Sequence, residues 1–417
     1  MTISLCMIVK NEAATLGRTL KSVQGVVSEV VVVDTGSVDD TVAIAQAHGA
    51  TVHSFAWEND FAAARNESLR HATGDWVLVL DADEVLLSET AQVLQRLDQG
   101  HPLGDVAAAD VLAINLLRLE LGASQAPYTL ITRCFRRLPE IAFKRPYHET
   151  VDDSVVALQQ QDAHWQVITL GEVALHHTGY DPVVVMQRGK FDRARTTMER
   201  YLADHPDDAY LLNKLAALYI EADKSEAALP LLDRALEQAE ALDALTSYEV
   251  HYHRALALAH LPHQAANDYQ AALAQDVPPR LKLGALINYG SLKKAQGEFA
   301  TAVELFQQAV EADPTLAIAH YNLGTAYRGQ GYLDEAIAAY RQAIALEPSY
   351  PEAHQNLAVA LFKLGQLPEA LDAFQRAIAI YETIDPAAAA SLRQGVANLG
   401  IPTGLLTQKG FSQTGFG

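Results

Sequence analysis

Cysteine is nearly absent. Cys6 and Cys134 are the only two in 417 residues, and Cys6 falls in a run predicted to be a buried strand. A disulfide framework is therefore not expected, and a reducing compartment is. Positive charge is also scarce: 31 Lys and Arg face 51 Asp and Glu, a formal net charge of −20. That balance excludes binding to nucleic acid or an anionic membrane by bulk electrostatics. No run approaches the ~20 apolar residues needed to cross a bilayer. The opening apolar run ends at Val9 without a basic lead-in, so a strand is expected there rather than a signal peptide. These absences point to a cytoplasmic protein without a transmembrane segment or nucleic-acid partner. The apolar share is 49%, which suits globular folding, and the length predicts two or three domains.

The amino-terminal part alternates strand-like and helix-like runs. Ile3 to Val9 is near-continuously apolar, is broken by Lys10-Asn11-Glu12, and gives way to a helical pattern through Leu16, Leu20 and Val23. Val30 to Val33 is a second buried strand ending in Asp34-Thr35-Gly36-Ser37. Ser37 with Asp40 forms a capping-box pattern opening a helix from Val38 to about His48. Thr51 to Phe55 is a short strand, Phe61 to Ala72 a helix, and Asp75 to Leu80 a fourth strand. This spacing predicts a parallel sheet with crossover helices. Ligands of such sheets bind beyond the carboxyl ends of the strands, where residues 10–12, 34–37 and 81–83 should gather. Asp81-Ala82-Asp83 ends the fourth strand in two carboxylates predicted to share a face. Such a pair can hold a hard divalent cation, and a cation there can neutralise a diphosphate.

Four motifs in this order carry a resemblance. They are Met7-Ile8-Val9-Lys10-Asn11-Glu12, Val31-Val32-Val33-Asp34-Thr35-Gly36-Ser37, Ala64-Arg65-Asn66-Glu67, and Asp75-Trp76 leading to Asp81-Ala82-Asp83-Glu84. Together they resemble family 2 glycosyltransferases over about the first 180 residues. The resemblance implies a GT-A, Rossmann-like α/β domain and a nucleotide-sugar donor. Arg133-Cys134-Phe135-Arg136 and Tyr147-His148-Glu149 look like the family's acceptor-side segment. His177-Thr178-Gly179-Tyr180 is similar to a closing motif of members that continue into helical repeats.

The second half repeats at 34 residues. Ala302, Ala336 and Ala370 keep that interval, as do Phe306, Tyr340 and Phe374, then Ala309, Ala343 and Ala377, and Gly297, Gly331 and Gly365; Pro314 and Pro348 follow suit. This is the period of tetratricopeptide helix pairs, an all-α solenoid. Ala228-Leu232-Ala235 and Ala265-Tyr269-Ala272 match the same offsets at a spacing of 37, giving about five repeats. The expected division is a transferase domain over 1–182, a connecting helix over 183–208, repeats over 209–384, a capping helix over 385–400 and a flexible tail over 401–417.

Each candidate residue has two readings. Glu12 is a first-turn carboxylate or a contact to ribose or base. The resemblance implies that Asp34 meets the base, with Gly36, Ser37 and Ala82 beside the donor; Asp34 could also simply end a strand, and Ser37 is an N-cap on either reading. Arg65 pairs with Glu67 or another surface acid, or, as the resemblance implies, faces the donor. Glu149 falls where the resemblance puts the general base, although its neighbours depart from the commonest Glu-Asp form; an inverting transfer needs one carboxylate to take the acceptor proton. The resemblance also implies His177 as a third ligand, beside Asp81 and Asp83, for Mg²⁺ or Mn²⁺; His176 competes with it, and a structural histidine is the alternative. Asn288, Asn322 and Asn356 recur at 34 residues on the predicted groove face. They grip a peptide backbone, as in similar peptide-modifying glycosyltransferases, or bond neighbouring helices. The reading overall is a metal-dependent, hexosyltransferase-type enzyme that moves a sugar, with inversion, from a UDP-sugar to an acceptor hydroxyl. Its acceptor is a protein held by the repeats, a saccharide or a lipid-linked glycan. The alternative is an interaction scaffold with an inactive transferase domain.

Overall fold

The computed structural model describes residues 2–123, 126–178 and 188–401. Gly179, Tyr180, the 182/183 boundary, the start of the connecting segment and the tail beyond Ile401 lie outside the described residues. The chain divides into two compact units, the first running to Leu258 and the second beginning at Ala259.

The first unit is built on an eight-stranded sheet. Strands β1 (Ile3–Val9), β2 (Glu29–Asp34), β3 (Thr51–Ser54) and β4 (Trp76–Val79) are parallel, with helices α1 (Leu16–Ser22), α2 (Thr41–Ala47) and α3 (Phe61–His71) between them. Then come β5 (Glu84–Leu86), α4 (Ser88–Asp98), β6 (Val111–Glu120), β7 (Tyr128–Arg136), α5 (Asp152–Gln161) and β8 (Gln166–His177), in the order β3-β2-β1-β4-β7-β6-β8-β5. Only half of the sheet is the parallel array that the sequence predicts. The reversal comes at β4, whose Trp76 to Leu78 pair antiparallel with Arg136 to Cys134.

Both faces of the sheet are covered, which is why its central strands read as continuous apolar runs. Leu5, Met7, Trp76 and Leu78 belong to one layer; Cys6, Val77, Val79 and Phe135 belong to the other. Both cysteines are buried, and burial pushes the thiols of Cys6 and Cys134 up to about 12.

The capping box does not form. Helix α2 begins at Thr41 rather than Val38, because the Ser37 hydroxyl instead accepts the Asn11 N–H at 2.9 Å. Asp39, not Asp40, accepts from the Thr41 N–H at 3.1 Å.

The same unit continues through α6 (Arg188–Asp204), α7 (Ala209–Glu221), α8 (Ser225–Leu236) and α9 (Ala244–Ala257). Ala228, Leu232 and Ala235 are fully buried in its helical core, as their offsets predict. The second unit holds α10 (Pro262–Leu273), α11 (Leu283–Ala295), α12 (Phe299–Ala312), α13 (Ala317–Gln330), α14 (Leu333–Leu346), α15 (Pro351–Lys363), α16 (Leu367–Ile384) and α17 (Pro386–Asn398). Every alanine of the 34-residue ladders is buried, with Phe306, Tyr340 and Phe374 beside them. Gly331 closes α13 at φ +86°, a left-handed conformation that glycine adopts without a Cβ clash.

Candidate functional site

A cleft of about 1080 Å³ opens beyond the carboxyl ends of β1, β2 and β4, where the topology places ligands. Two loops form its floor, and side chains of the first and second motifs fasten them together. Asn11 Oδ1 accepts from the Val38 N–H at 2.8 Å, the Glu12 N–H donates to Thr41 Oγ1 at 2.7 Å, and the Ala13 N–H donates to Asp39 Oδ2 at 3.2 Å. Asp34 accepts from the N–H groups of Gly36 (3.2 Å) and Ser37 (3.1 Å), so its carboxylate shapes its own turn. Glu12 lines the cleft; burial first, then the nearby Asp83, Asp81 and Asp39, raises its carboxyl against the lowering effect of Thr15.

Asp81 and Asp83 do not share partners. Asp81 is gripped by Arg65 Nη2 on one oxygen and by Arg133 Nη2 at 2.9 Å on the other, with Arg118 Nη1 at 4.0 Å. Burial alone would raise the Asp81 carboxyl; the guanidiniums of Arg133, Arg65 and Arg118 outweigh it and hold the carboxyl well below the usual range. Arg65 is 2% exposed, and its Nε donates to Glu149 Oε1 at 3.1 Å, so it joins the acidic pair to the expected base rather than to Glu67. Its Nη1 is buried among the described residues without a hydrogen-bond partner. A buried N–H left unmade is costly unless a ligand completes it. Asn66, from the same motif, exchanges two hydrogen bonds with the Phe143 backbone (2.9 and 2.8 Å) and so holds the segment that carries Glu149.

Asp83 faces His177. Its Oδ2 lies 3.1 Å from His177 Nε2, while His177 Nδ1 lies 2.5 Å from Glu120 Oε2. Asp83 first and Glu120 second raise the His177 pKa to about 10, against partial burial. With its pKa raised to about 10, His177 is an imidazolium held between two carboxylates, and it could ligate a divalent cation beside Asp83 only by giving up its Nε2 proton. Asp81 does not converge with them, since its oxygens are committed to arginines. No group of three His, Cys, Asp or Glu residues suited to a metal gathers among the described residues. Between the histidines, His177 and not His176 meets Asp83 and Glu120.

Several residues that line the cleft or lie buried behind it were not read from the sequence as site residues. Glu84 is fully buried; its Oε1 lies 2.7 Å from Arg118 Nη1, and its Oε2 accepts from the Asp81 N–H at 2.8 Å. Arg118 also bonds Glu120 at 2.7 Å. Arg118 and Glu120 did leave a signal: two charges at i and i+2 in an otherwise apolar strand must share one face. Arg145, Lys214 and Glu249 left none, because the fold brings them in from distant segments. Arg145 pairs with Asp153 (2.6 Å) and with Asp208 (2.7 Å), the N-cap of α7. Of the amide ladder, Asn322 is buried and Asn356 Nδ2 donates to the Tyr321 hydroxyl at 2.9 Å. Asn288 is not free either. Asn356 thus bonds a side chain of another helix in the second unit.

Comparison with known proteins agrees with this architecture. The family model for glycosyl transferase family 2 matches residues 4–167. Models of the tetratricopeptide repeat match residues 184–244, 290–331, 324–365 and 351–383. A TPR repeat-containing protein of Synechococcus elongatus is 42% identical over 315 residues, 75% of this chain and 76% of that one. An uncharacterized glycosyltransferase of Rickettsia felis is 34% identical over 183 residues, 42% of this chain and 62% of that one. A solved structure of YrrB, described as a TPR protein with an unusual peptide-binding site, is 20% identical over 48% of this chain and 100% of that one, with a TM-score of 0.40. No helix among the described residues is long and apolar enough to cross a membrane.

Proposed function

Since the chain belongs to the family that joins a family 2 glycosyl transferase domain to tetratricopeptide repeats, we propose that it moves a hexosyl group from a UDP-sugar to an acceptor hydroxyl in the cleft. The observation that carries this reading is Arg65: a buried guanidinium between Asp81 and Glu149 with its Nη1 unspent, at the floor of a cleft large enough for a nucleotide-sugar. Guanidiniums suit phosphate geometry, and Arg118 and Arg133 stand beside it.

In this proposal Glu149 takes the proton from the acceptor as it attacks, and the anomeric centre inverts. Glu12, Asp34, Gly36, Ser37, Arg65, Asp81 and Ala82 form the donor side. Asp83, with His177 once its Nε2 proton is lost, would hold Mg²⁺ or Mn²⁺, while Asp81 would position the arginines rather than act as the third ligand. The cation would neutralise the departing diphosphate. The transferase domain spans 1–182, the connector 183–208, the repeats 209–384 and the cap 385–400, with a cytoplasmic location. The repeats would hold a partner protein, through Asn288, Asn322 and Asn356 in the second unit. The test is a screen of nucleotide-sugars for hydrolysis by the full chain with and without Mn²⁺. Metal-stimulated release of UDP from one donor supports the reading. Absence of both donor binding and hydrolysis across the screen would favour an inactive transferase domain on an interaction scaffold.

A further inference from the structure

The cleft has a second wall to which the donor reading gives no task. It comes from α7 and α9, inside the first compact unit. At its centre Lys214 Nζ lies 2.6 Å from Glu249 Oε2, and Asn213 Nδ2 donates to that same oxygen at 2.8 Å. Asn213 is fully buried, and its Oδ1 lies 2.7 Å from His253 Nδ1, so the pair is fixed from behind. Among the described residues nothing donates to Glu249 Oε1, and Lys214, with three N–H groups, makes one hydrogen bond. Both side chains line the cleft, 17% and 19% exposed. An ammonium hydrogen and a carboxylate oxygen side by side, each with capacity left, match a ligand carrying an acceptor and a donor on neighbouring atoms.

Two further features narrow the ligand. The cleft, about 1080 Å³ and at the top of the ~300–1,000 Å³ range of ligand pockets, runs from the donor-side loops to α7 and α9. Trp57, Phe61 and Tyr147 line the same cleft in an edge-to-face chain, with centroids 4.7 and 5.5 Å apart. Their ring faces suit the C–H face of a pyranose, while the charged pair suits its hydroxyls.

We propose that α7 and α9 form the acceptor subsite, and that the acceptor it takes is a saccharide whose vicinal hydroxyls bridge Lys214 and Glu249 Oε1. This rests on the transferase reading. It makes the first repeats part of the active site, a task separate from any role of the second unit in binding a partner.

The experiment uses the full chain saturated with UDP and Mn²⁺. Binding is measured by saturation-transfer NMR for the methyl glycosides of glucose, galactose and N-acetylglucosamine, and for a blocked Gly-Ser-Gly peptide. At least one glycoside should bind, and Glu249→Gln should weaken it about tenfold or more, the worth of a hydrogen bond to a charged group. Leu245→Trp fills the same wall without touching the ion pair and should weaken it likewise; it decides the matter if Glu249→Gln lowers the melting temperature. Glycoside binding that ignores both substitutions, peptide binding in its place, or no binding of either while UDP binds would each overturn the proposal. Failure of UDP itself to bind would instead remove the transferase reading, and this inference with it.

Discussion

Asp81 and Asp83, one residue apart, answer to different cations. Asp81 lies among guanidiniums and Asp83 against an imidazole, so their substitutions should part company. Asp83→Asn removes the charge that a dication needs, from a side chain 25% exposed. Mn²⁺-dependent UDP binding should be lost with the melting temperature little changed. Asp81→Asn instead leaves Arg65 and Arg133 without their shared counter-charge, and should lower the melting temperature as well. Calorimetric titration beside thermal melts separates the two; identical behaviour would contradict the division of roles. Glu149→Gln preserves size and removes the proton acceptor, so turnover should fall by ~10²–10⁴ while UDP binding persists. A fall below about tenfold would move the base elsewhere. His253 offers a test by pH. Burial first, with Lys214 nearby, lowers its pKa to about 4, against the opposing pull of Glu249. The native state therefore holds it neutral, while the unfolded chain takes up a proton below about 6.5. Its contribution to stability is intact above pH 6.5 and is lost as pH falls toward 4, on the order of 1–3 kcal/mol. Melting His253→Asn beside the parent at pH 7.5 and pH 5 should show a smaller acid loss in the variant.

Among the elements, one exacting contact lies in the second unit. A Cβ on Gly324 would lie 2.8 Å from the Tyr340 ring and 3.1 Å from the Ala336 carbonyl. Gly290 stands one period earlier and meets Phe306 in the same way, whereas Ala358 occupies the register one period later. Gly324→Val should cost about 1–3 kcal/mol by overpacking, read as a lower urea midpoint. An unchanged midpoint would mean that α13 and α14 can part without loss. These helices were legible in the sequence because a 34-residue period constrains each residue by its repeats. The parallel strands were legible because burial on both faces leaves unbroken apolar runs. Strands β5 to β8 were not: they are held by pairing across the sheet, and Glu84 and Arg118 bring charge into them that only tertiary partners offset. The place of the candidate site was legible where it is local, at Asp81, Asp83 and the loops that start at Lys10 and Asp34, although the two carboxylates take different partners rather than acting as a pair. It was hidden where it is assembled. Ser37 looked like a cap because the sequence could not show Asn11 arriving to claim its hydroxyl.

At the scale of the whole molecule, the first compact unit is longer than a transferase domain drawn by pattern. Tyr147 packs against the helical core that holds Ala209 and Leu212, and Arg145 joins Asp153 to Asp208. A fragment of residues 1–258 should melt cooperatively and bind UDP. A fragment of residues 1–182 strips Tyr147 and Arg145 of those partners and should show a broad or absent transition. Equal melting of the two would mean that the repeats add nothing to the fold of the transferase. The two buried thiols carry a consequence of another kind. Cys6 and Cys134 are sealed in the sheet and hold their protons far above neutral pH, so a maleimide or iodoacetamide has no thiolate to attack while the sheet stands. The native chain is thus already a blank background for site-directed labelling. A single cysteine placed at Val38, 91% exposed and tied to Asn11 through its N–H, would carry a fluorophore on the surface without removing either natural one.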